Sequence, residues 1–397
     1  MNRRLSLLPR LACDIVILAG LFILSGVSAL AAPAPDQSIT YQQNAAHDGF
    51  NPASKLVPPL TLKWRKDLTA LGASAISYPL IAQGLVVVTL RTEAGSSLLV
   101  ALDETNGRKV WSVSIPGTYG FADAAYDAGR VFVIDTDGLL QAFDAAAGGL
   151  LWSVKLPNQY FFTSAPTAVN GLVYVGGAGS GGTLYAVDET NGNLIWTGEV
   201  ENGDASSPAV VKGYVYVSYA CPQSYCFQAS NGRLVWHYSG PCEGGGGATP
   251  VVHLDSVYVR LAYFDNPQGL ILDARTGAKV GGFDSDTPPA FVRNLAVELQ
   301  SGTLRGLDTR DGSVRWSFAG DGSLSSVPVI VNKTIYIGSY SGMIYGLNSD
   351  GQEVWSASAG APVPYSNEGG TEPTFGFGSG DGLLVVPAGA VLSAFGN

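Results

Sequence analysis

Leu184 to Trp196 reads LYAVDETNGNLIW, and the same pattern returns along the chain. Leu99–Trp111 is LVALDETNGRKVW, Leu140–Trp152 is LQAFDAAAGGLLW and Leu304–Trp316 is LRGLDTRDGSVRW. Tyr225–Trp236 (YCFQASNGRLVW) carries Gln228 in the aspartate position, and Ile344–Trp355 (IYGLNSDGQEVW) is one residue shorter. Leu270–Gly281 (LILDARTGAKVG) ends on glycine where the tryptophan belongs. Asp103, Asp144, Asp188, Asp273 and Asp308 each stand four residues before a glycine and eight before the tryptophan or its replacement. All seven tryptophans (Trp64, Trp111, Trp152, Trp196, Trp236, Trp316 and Trp355) occupy this one position. A repeat of roughly forty residues is the period of a propeller blade.

One unit, read outward from that stretch, resolves into four short strands. Ala165–Val169 is followed by the hairpin pair Asn170-Gly171, then by Leu172–Gly176. A glycine-rich loop leads to Thr183–Val187, the Asp188–Gly192 turn reverses the chain, and Leu194–Glu199 is the outer strand. Asn-Gly between apolar runs is a strong hairpin signal. In the Asp-x-x-x-Gly turn the carboxylate accepts from backbone N–H groups ahead of it, and glycine takes the left-handed conformation. The tryptophan then lies where its ring covers the seam between blades, with an indole N–H that needs an acceptor if buried. Packing such sheets face to face around an axis buries both their faces. The expected fold is therefore all-β, an eight-bladed propeller of four-stranded antiparallel blades. Seven units are complete. The eighth runs from Pro373 to Phe395 with three strands, and Leu60–Leu68, carrying Trp64, supplies its missing outer strand. The expected divisions are 1–31, 32–59 as an N-terminal extension, and 60–397 as a single propeller.

Arg3, Arg4 and Arg10 precede an apolar run from Ile15 to Ala32 that includes Ala29-Leu30-Ala31, the layout of a cleaved secretory signal. Uncleaved, the run is long enough to span a bilayer, and only then is a membrane an expected partner. Cys13 precedes the run, unlike a lipid-attachment cysteine. Export to the periplasm or the medium is the expected localisation. Removing residues 1–31 takes the formal charge from −10 to −12. An acidic surface argues against nucleic acid as a partner. Composition agrees with an all-β chain rich in tight turns: 51 glycines, 10% aromatic and only 14% charged residues. Of the cysteines left after removal, Cys221 and Cys226 flank a short loop and form the expected disulfide. Cys242 is the alternative partner.

Few residues carry a signal for chemistry. His47, His237 and His253 lack metal-ligand spacing, and the aspartate turns lack the alternating oxygen ligands of a calcium loop. No metal and no catalytic residue is assigned. The connections between blades, and those between the second and third strands, are irregular and emerge on one face. They hold Tyr119, Phe121, Asp123, Tyr160, Phe161, Glu201, Asp204, Tyr225 and Tyr263, the candidate binding surface. Their aromatics serve equally well as a plug for the wide end of an eight-bladed axis.

The A-x-D-x-x-x-G-x-x-x-W pattern, with Ser164-Ala165-Pro166, Ser206-Ser207-Pro208 and Ser326-Val327-Pro328 opening inner strands, resembles the pyrroloquinoline-quinone-type propeller repeat. YQQNAAHDGFNP (41–52) followed by PPLTLKW (58–64) is similar to the start of those propellers. The resemblance spans nearly all of 40–397 and implies one of two branches. Quinoprotein dehydrogenases hold the quinone on a tryptophan floor near an adjacent cysteine pair, with Ca²⁺ and a catalytic aspartate. This chain has no adjacent cysteine pair, and the repeat uses every tryptophan. The non-enzymatic branch includes the lipoprotein of the outer-membrane β-barrel assembly machinery. The resulting expectation is a monomeric, non-catalytic scaffold with no cofactor, engaging a protein or an extended polymer on its loop-rich face. The alternatives are a quinone- and Ca²⁺-dependent oxidoreductase, and a structural or adhesive surface protein.

Overall fold

The computed structural model describes Met1 and residues 35–397, apart from 180, 204–205, 242–246, 262–267, 367 and 369. The expected signal segment lies outside the described residues.

Eight antiparallel sheets follow one another along the chain. Blade three pairs Thr167–Val169, Leu172–Gly179, Gly181–Asp188 and Leu194–Val200 in that order. Blades two, four, five and six repeat the arrangement. Blade one has its innermost strand broken into Ala73–Ile76 and Leu80–Ala82. Blade seven gains a short parallel strand, Phe50–Asn51. Blade eight is closed as the repeat predicts. Thr61–Asp67 pairs with Val391–Gly396, which pairs with Leu383–Ala388 and then Gly378–Gly380. Thr61–Asp67 and the last strand thus share one sheet, which closes the ring and covers the edge of blade eight.

Each tryptophan latches its blade to the next. Trp196 Nε1 donates to the carbonyl of Ala229, in the turn of the following blade, at 2.9 Å. Trp64 reaches Glu104, Trp111 reaches Ala145, Trp152 reaches Glu189, Trp236 reaches Ala274 and Trp316 reaches Ser349 in the same way. Trp355 donates to Leu60 O at 3.0 Å, so the residue leading into Thr61–Asp67 takes the place that a turn holds in the other blades. The turn glycine lies flat against the ring. A Cβ on Gly192 would stand 2.7 Å from Trp152, and one on Gly232 2.6 Å from Trp196. Across the sheet each tryptophan faces a small residue: Ala101, Ala142, Ala186, Cys226, Gly306, Gly346 or Ala394. The turn itself forms as its chemistry requires. Asp188 Oδ1 accepts from Thr190 N at 2.7 Å, and Gly192 sits at φ 75°.

Of the segment expected as an N-terminal extension, residues 35–59 belong to the same compact unit as the ring. Residues 36–51 make one circuit of the axis and bond to the inner strand or strand entry of every blade in order. Asp36 O accepts from Asp381 N in blade eight, and Ser38 exchanges two bonds with Ile81 in blade one. Ile39 O accepts from Tyr126 N, and Thr40 Oγ1 donates to Pro166 O. Ala45 O, Ala46 O, Asp48 O and Gly49 O then accept from Val210, Val252, Phe291 and Ile330 of blades four to seven. These bonds satisfy inner-edge donors that would otherwise be buried unpaired. Such a tight circuit needs left-handed backbone at Gln42, Gln43 and His47, with φ between 56° and 74°. Side-chain bonds hold it there, including Gln43 Nε2 to Phe377 O at 2.7 Å and Asn44 Oδ1 accepting from Ala46 N.

Where a glycine-rich loop was expected before Thr183, Gly179, Gly181 and Gly182 lie in strands. Gly177 pairs with Thr183, Ala178 with Gly182 and Gly179 with Gly181. Aromatic rings lie over these glycines: a Cβ on Gly177 would meet Phe162 at 2.5 Å, and one on Gly179 would meet Tyr160 at 2.7 Å.

Turn glycines provide a clean comparison. Gly192 and Gly312 share nearly the same φ, 75° and 73°, but only Gly192 lies against a ring, and a Cβ on Gly312 would meet nothing within 4 Å beyond its chain neighbours. Alanine at either site carries the left-handed penalty, and only Gly192→Ala also overpacks a seam. Urea denaturation should find Gly192→Ala about 1–3 kcal/mol more destabilising than Gly312→Ala. Equal losses would contradict the latch.

Candidate functional site

The two ends of the ring differ. One carries the short hairpins and aspartate turns. The other carries the connections between blades together with the turns joining second to third strands, as Tyr340 and Tyr365 demonstrate. These residues come from one connection of each kind and stack with centroids 5.7 Å apart.

At this loop end the connection from blade seven to blade eight, residues 359–377, reaches over the axis. Ser366 Oγ and Tyr41 Oη are 2.9 Å apart. Glu368 Oε2 accepts from Arg260 NH2 at 2.6 Å and from Thr249 N at 2.9 Å, both in or at the start of blade five. Arg260 and Glu368 are largely buried, so their pairing is an internal tie. Thr374 N donates to both oxygens of Asp123 in blade two, and Thr374 O accepts from Tyr78 N in blade one. Below this strap sit Tyr41 and His47, both fully buried. His47 Nδ1 lies 2.7 Å from Tyr41 O and Nε2 lies 3.0 Å from Pro208 O. Burial lowers the His47 pKa despite these carbonyls. Burial pushes the Asp123 carboxyl up to about 7, against the lowering effect of its bonds from Thr374.

The candidate binding residues do not form one surface. Phe121 is core, and Asp123 lies on the inner strand Ala122–Asp127, fully buried. Tyr225 is buried in blade four, stacked on His237 at 4.1 Å, with its hydroxyl accepting from Glu201 N. Phe161 is half-buried and bridges to Ala178. Glu201 is exposed, as are Tyr119 and Tyr160 at 62% and 68%. Asp204 and Tyr263 lie outside the described residues. Tyr340 and Tyr365, exposed at 55% and 60%, join Tyr119 and Tyr160 as solvent-facing tyrosines of this end. Tyr340 was missed because its connection is only Ser339–Gly342, too short to stand out as irregular. Beside the Tyr340–Tyr365 stack is a cleft of 260 Å³ lined by Pro362, Pro364, Pro373, Phe375, Ile76 and Glu372, among others.

The expected Cys221–Cys226 bridge is not formed. Cys221 is in a disulfide, whereas Cys226 is a free, buried thiol. The third strand of blade four begins at Gln223, earlier than the loop reading allowed, and turns Cys226 into the seam against Tyr216 and Trp236. Burial pushes its thiol up to about 12, which suits a packing residue. Cys242, the alternative partner, lies outside the described residues. Among the described residues no three His, Cys, Asp or Glu side chains gather as a metal cluster would require.

Known proteins share this architecture. The family described as outer membrane protein assembly factor BamB matches residues 95–239 and 180–367, more than half of the chain. A europium-containing methanol dehydrogenase superposes with a TM-score of 0.69 and 14% identity, covering 92% of this chain and 99% of that one. BamB from Moraxella catarrhalis gives 0.63 and 17%, covering 85% and 98%. At these identities the likeness is one of fold. Tetrathionate hydrolase of Acidithiobacillus ferrooxidans is 28% identical over 159 residues, which span 40% of this chain and 29% of that protein.

Asp123 yields a test of the strap. Its folded pKa of about 7 lies above the ordinary carboxylate value. Folding therefore favours the protonated form. The associated stability is fully present below about pH 4 and is lost as pH rises to about 7. Asp123→Asn keeps an acceptor for Thr374 N and cannot ionise. Its stability relative to the parent should grow by about 2–3 kcal/mol between about pH 5 and pH 8, read from urea midpoints. A difference independent of pH would contradict the burial of this carboxyl.

Proposed function

We propose that this chain, which belongs to the pyrroloquinoline-quinone-like propeller family of the outer membrane protein assembly factor BamB, is an exported, non-catalytic scaffold that docks a protein partner on its loop end. The observation carrying this reading is the cleft beside the stacked Tyr340–Tyr365 pair. Rigid, exposed aromatics next to prolines provide large contact area at low entropic cost, the composition of interface hot spots. Tyr119 and Tyr160 extend the aromatic surface around the same end. The description of the matched family, an outer membrane protein assembly factor, supports a partner in outer-membrane assembly.

Two observations weigh against a quinone seat at the axis. Every tryptophan is committed to a blade position at the outer seam, so none remains to make a platform. The funnel is also crossed by the Tyr41–Ser366 and Arg260–Glu368 contacts, which a ring-sized group would have to displace. Burial of a broken Arg–Glu pair is costly.

The reading predicts that the purified exported chain co-isolates with outer-membrane assembly proteins of its own envelope. Tyr340→Ala/Tyr365→Ala should weaken that association roughly tenfold or more while leaving the melting temperature unchanged. Dye reduction after adding the quinone and Ca²⁺, abolished by chelator, would instead establish the oxidoreductase.

A further inference from the structure

Seven of the eight seams hold an indole; the seam between blades five and six does not. Blade five ends Lys279–Phe283, and Gly281 stands in the register of a tryptophan, facing Ile271. The size relation of the other blades is thus reversed, with the large residue on the third strand. Ile271 fills part of the space and remains half-buried. The rest is a cavity of 790 Å³, open at the rim and lined on one wall by Gly281 and on the other by the turn Asp308–Gly312.

We infer that this seam is a docking slot for a tryptophan side chain supplied by a partner polypeptide. The turn that receives the indole at six other seams is present here and unengaged. Gly312 is the ring platform by position, yet it is exposed and nothing lies within 4 Å of where its Cβ would be. Thr309 occupies the position of Glu104, Ala145, Glu189, Ala229, Ala274 and Ser349, whose carbonyls all accept an indole N–H. Among the described residues no donor reaches Thr309 O. Glu298, 2% exposed, is among the residues lining the cavity, and its Oε2 is covered and paired with Arg305 NH2 at 3.6 Å. Arg310 at the rim adds a cation beside the incoming ring. The cavity exceeds one indole, which leaves room for the flanking backbone that a free ring would not bring. This slot is on the flank of the ring and shares no residue with the loop-end cleft, so either site can fail alone.

The test is fluorescence anisotropy of two labelled, capped peptides, Gly-Gly-Trp-Gly-Gly and Gly-Gly-Ala-Gly-Gly, with the full exported chain. The tryptophan peptide should bind roughly tenfold or more tightly than its alanine control. The double variant Ile271→Ala/Gly281→Trp restores the Ala–Trp pair of four other blades. It should raise the melting temperature and reduce binding of the tryptophan peptide at least roughly tenfold. Gly312→Asn, a residue that tolerates the left-handed backbone, covers the platform and should weaken binding similarly without disturbing the core. Equal or absent binding of the two peptides to the parent chain would overturn the proposal. So would undiminished binding to either folded variant.

Discussion

The hydrogen bond from an indole N–H to a carbonyl of the next blade is the constraint on which the ring depends. A four-stranded blade has two faces to bury, and neighbouring sheets alone leave their outer edges free to slide. The indole fixes that edge in two ways. Its ring occupies the gap between outer strand and turn, and its N–H selects one carbonyl as the point of contact. Because the ring lies flat on the turn, the turn must carry glycine. The turn residue and the tryptophan of the preceding blade are therefore a single feature divided between two repeats. Trp355 to Leu60 is the same latch made across the junction of the termini, which turns a row of blades into a closed ring.

The axis is held by different means. Residues 36–51 run once around it, giving a carbonyl or hydroxyl to each inner edge in turn, and the connection 359–377 reaches over it from the loop end. Both are irregular segments stabilised by specific polar contacts. They leave the loop end with a firm base for exposed tyrosines. Binding surfaces on such a base lose little entropy when a partner arrives, which favours a scaffold. The flank between blades five and six is the one seam whose latch is incomplete, and there the ring keeps an unfilled acceptor, Thr309 O.

Tryptophan spacing made the eight blades, their strand order and the closure by Leu60–Leu68 legible, because each rests on a local turn and a periodic face. The circuit of residues 36–51 was not legible. Its left-handed residues other than Gly49 are Gln42, Gln43 and His47, none of which announces such a backbone, and its partners lie in eight different blades. Candidate site residues failed for a related reason. Phe121 and Tyr225 were read as loop residues, but they fall on or beside strands whose alternation turns them inward. Cys226 could have been placed correctly. It aligns with Ala101, Ala142 and Ala186, the small residues facing each tryptophan, a position that leaves a thiol no route to a loop cysteine.

Amide hydrogen exchange resolved by seam tests this account most directly. Indole latches hold the outer strand at seven seams and the receiving turn at six of them, and the Gly281 seam lacks one. Strand Lys279–Phe283 and turn Asp308–Gly312 should therefore exchange faster than Leu194–Val200 with Gln228–Gly232, or Leu234–Ser239 with Asp273–Gly277. Uniform protection around the ring would contradict the claim that the tryptophans, rather than sheet packing alone, hold the blades together.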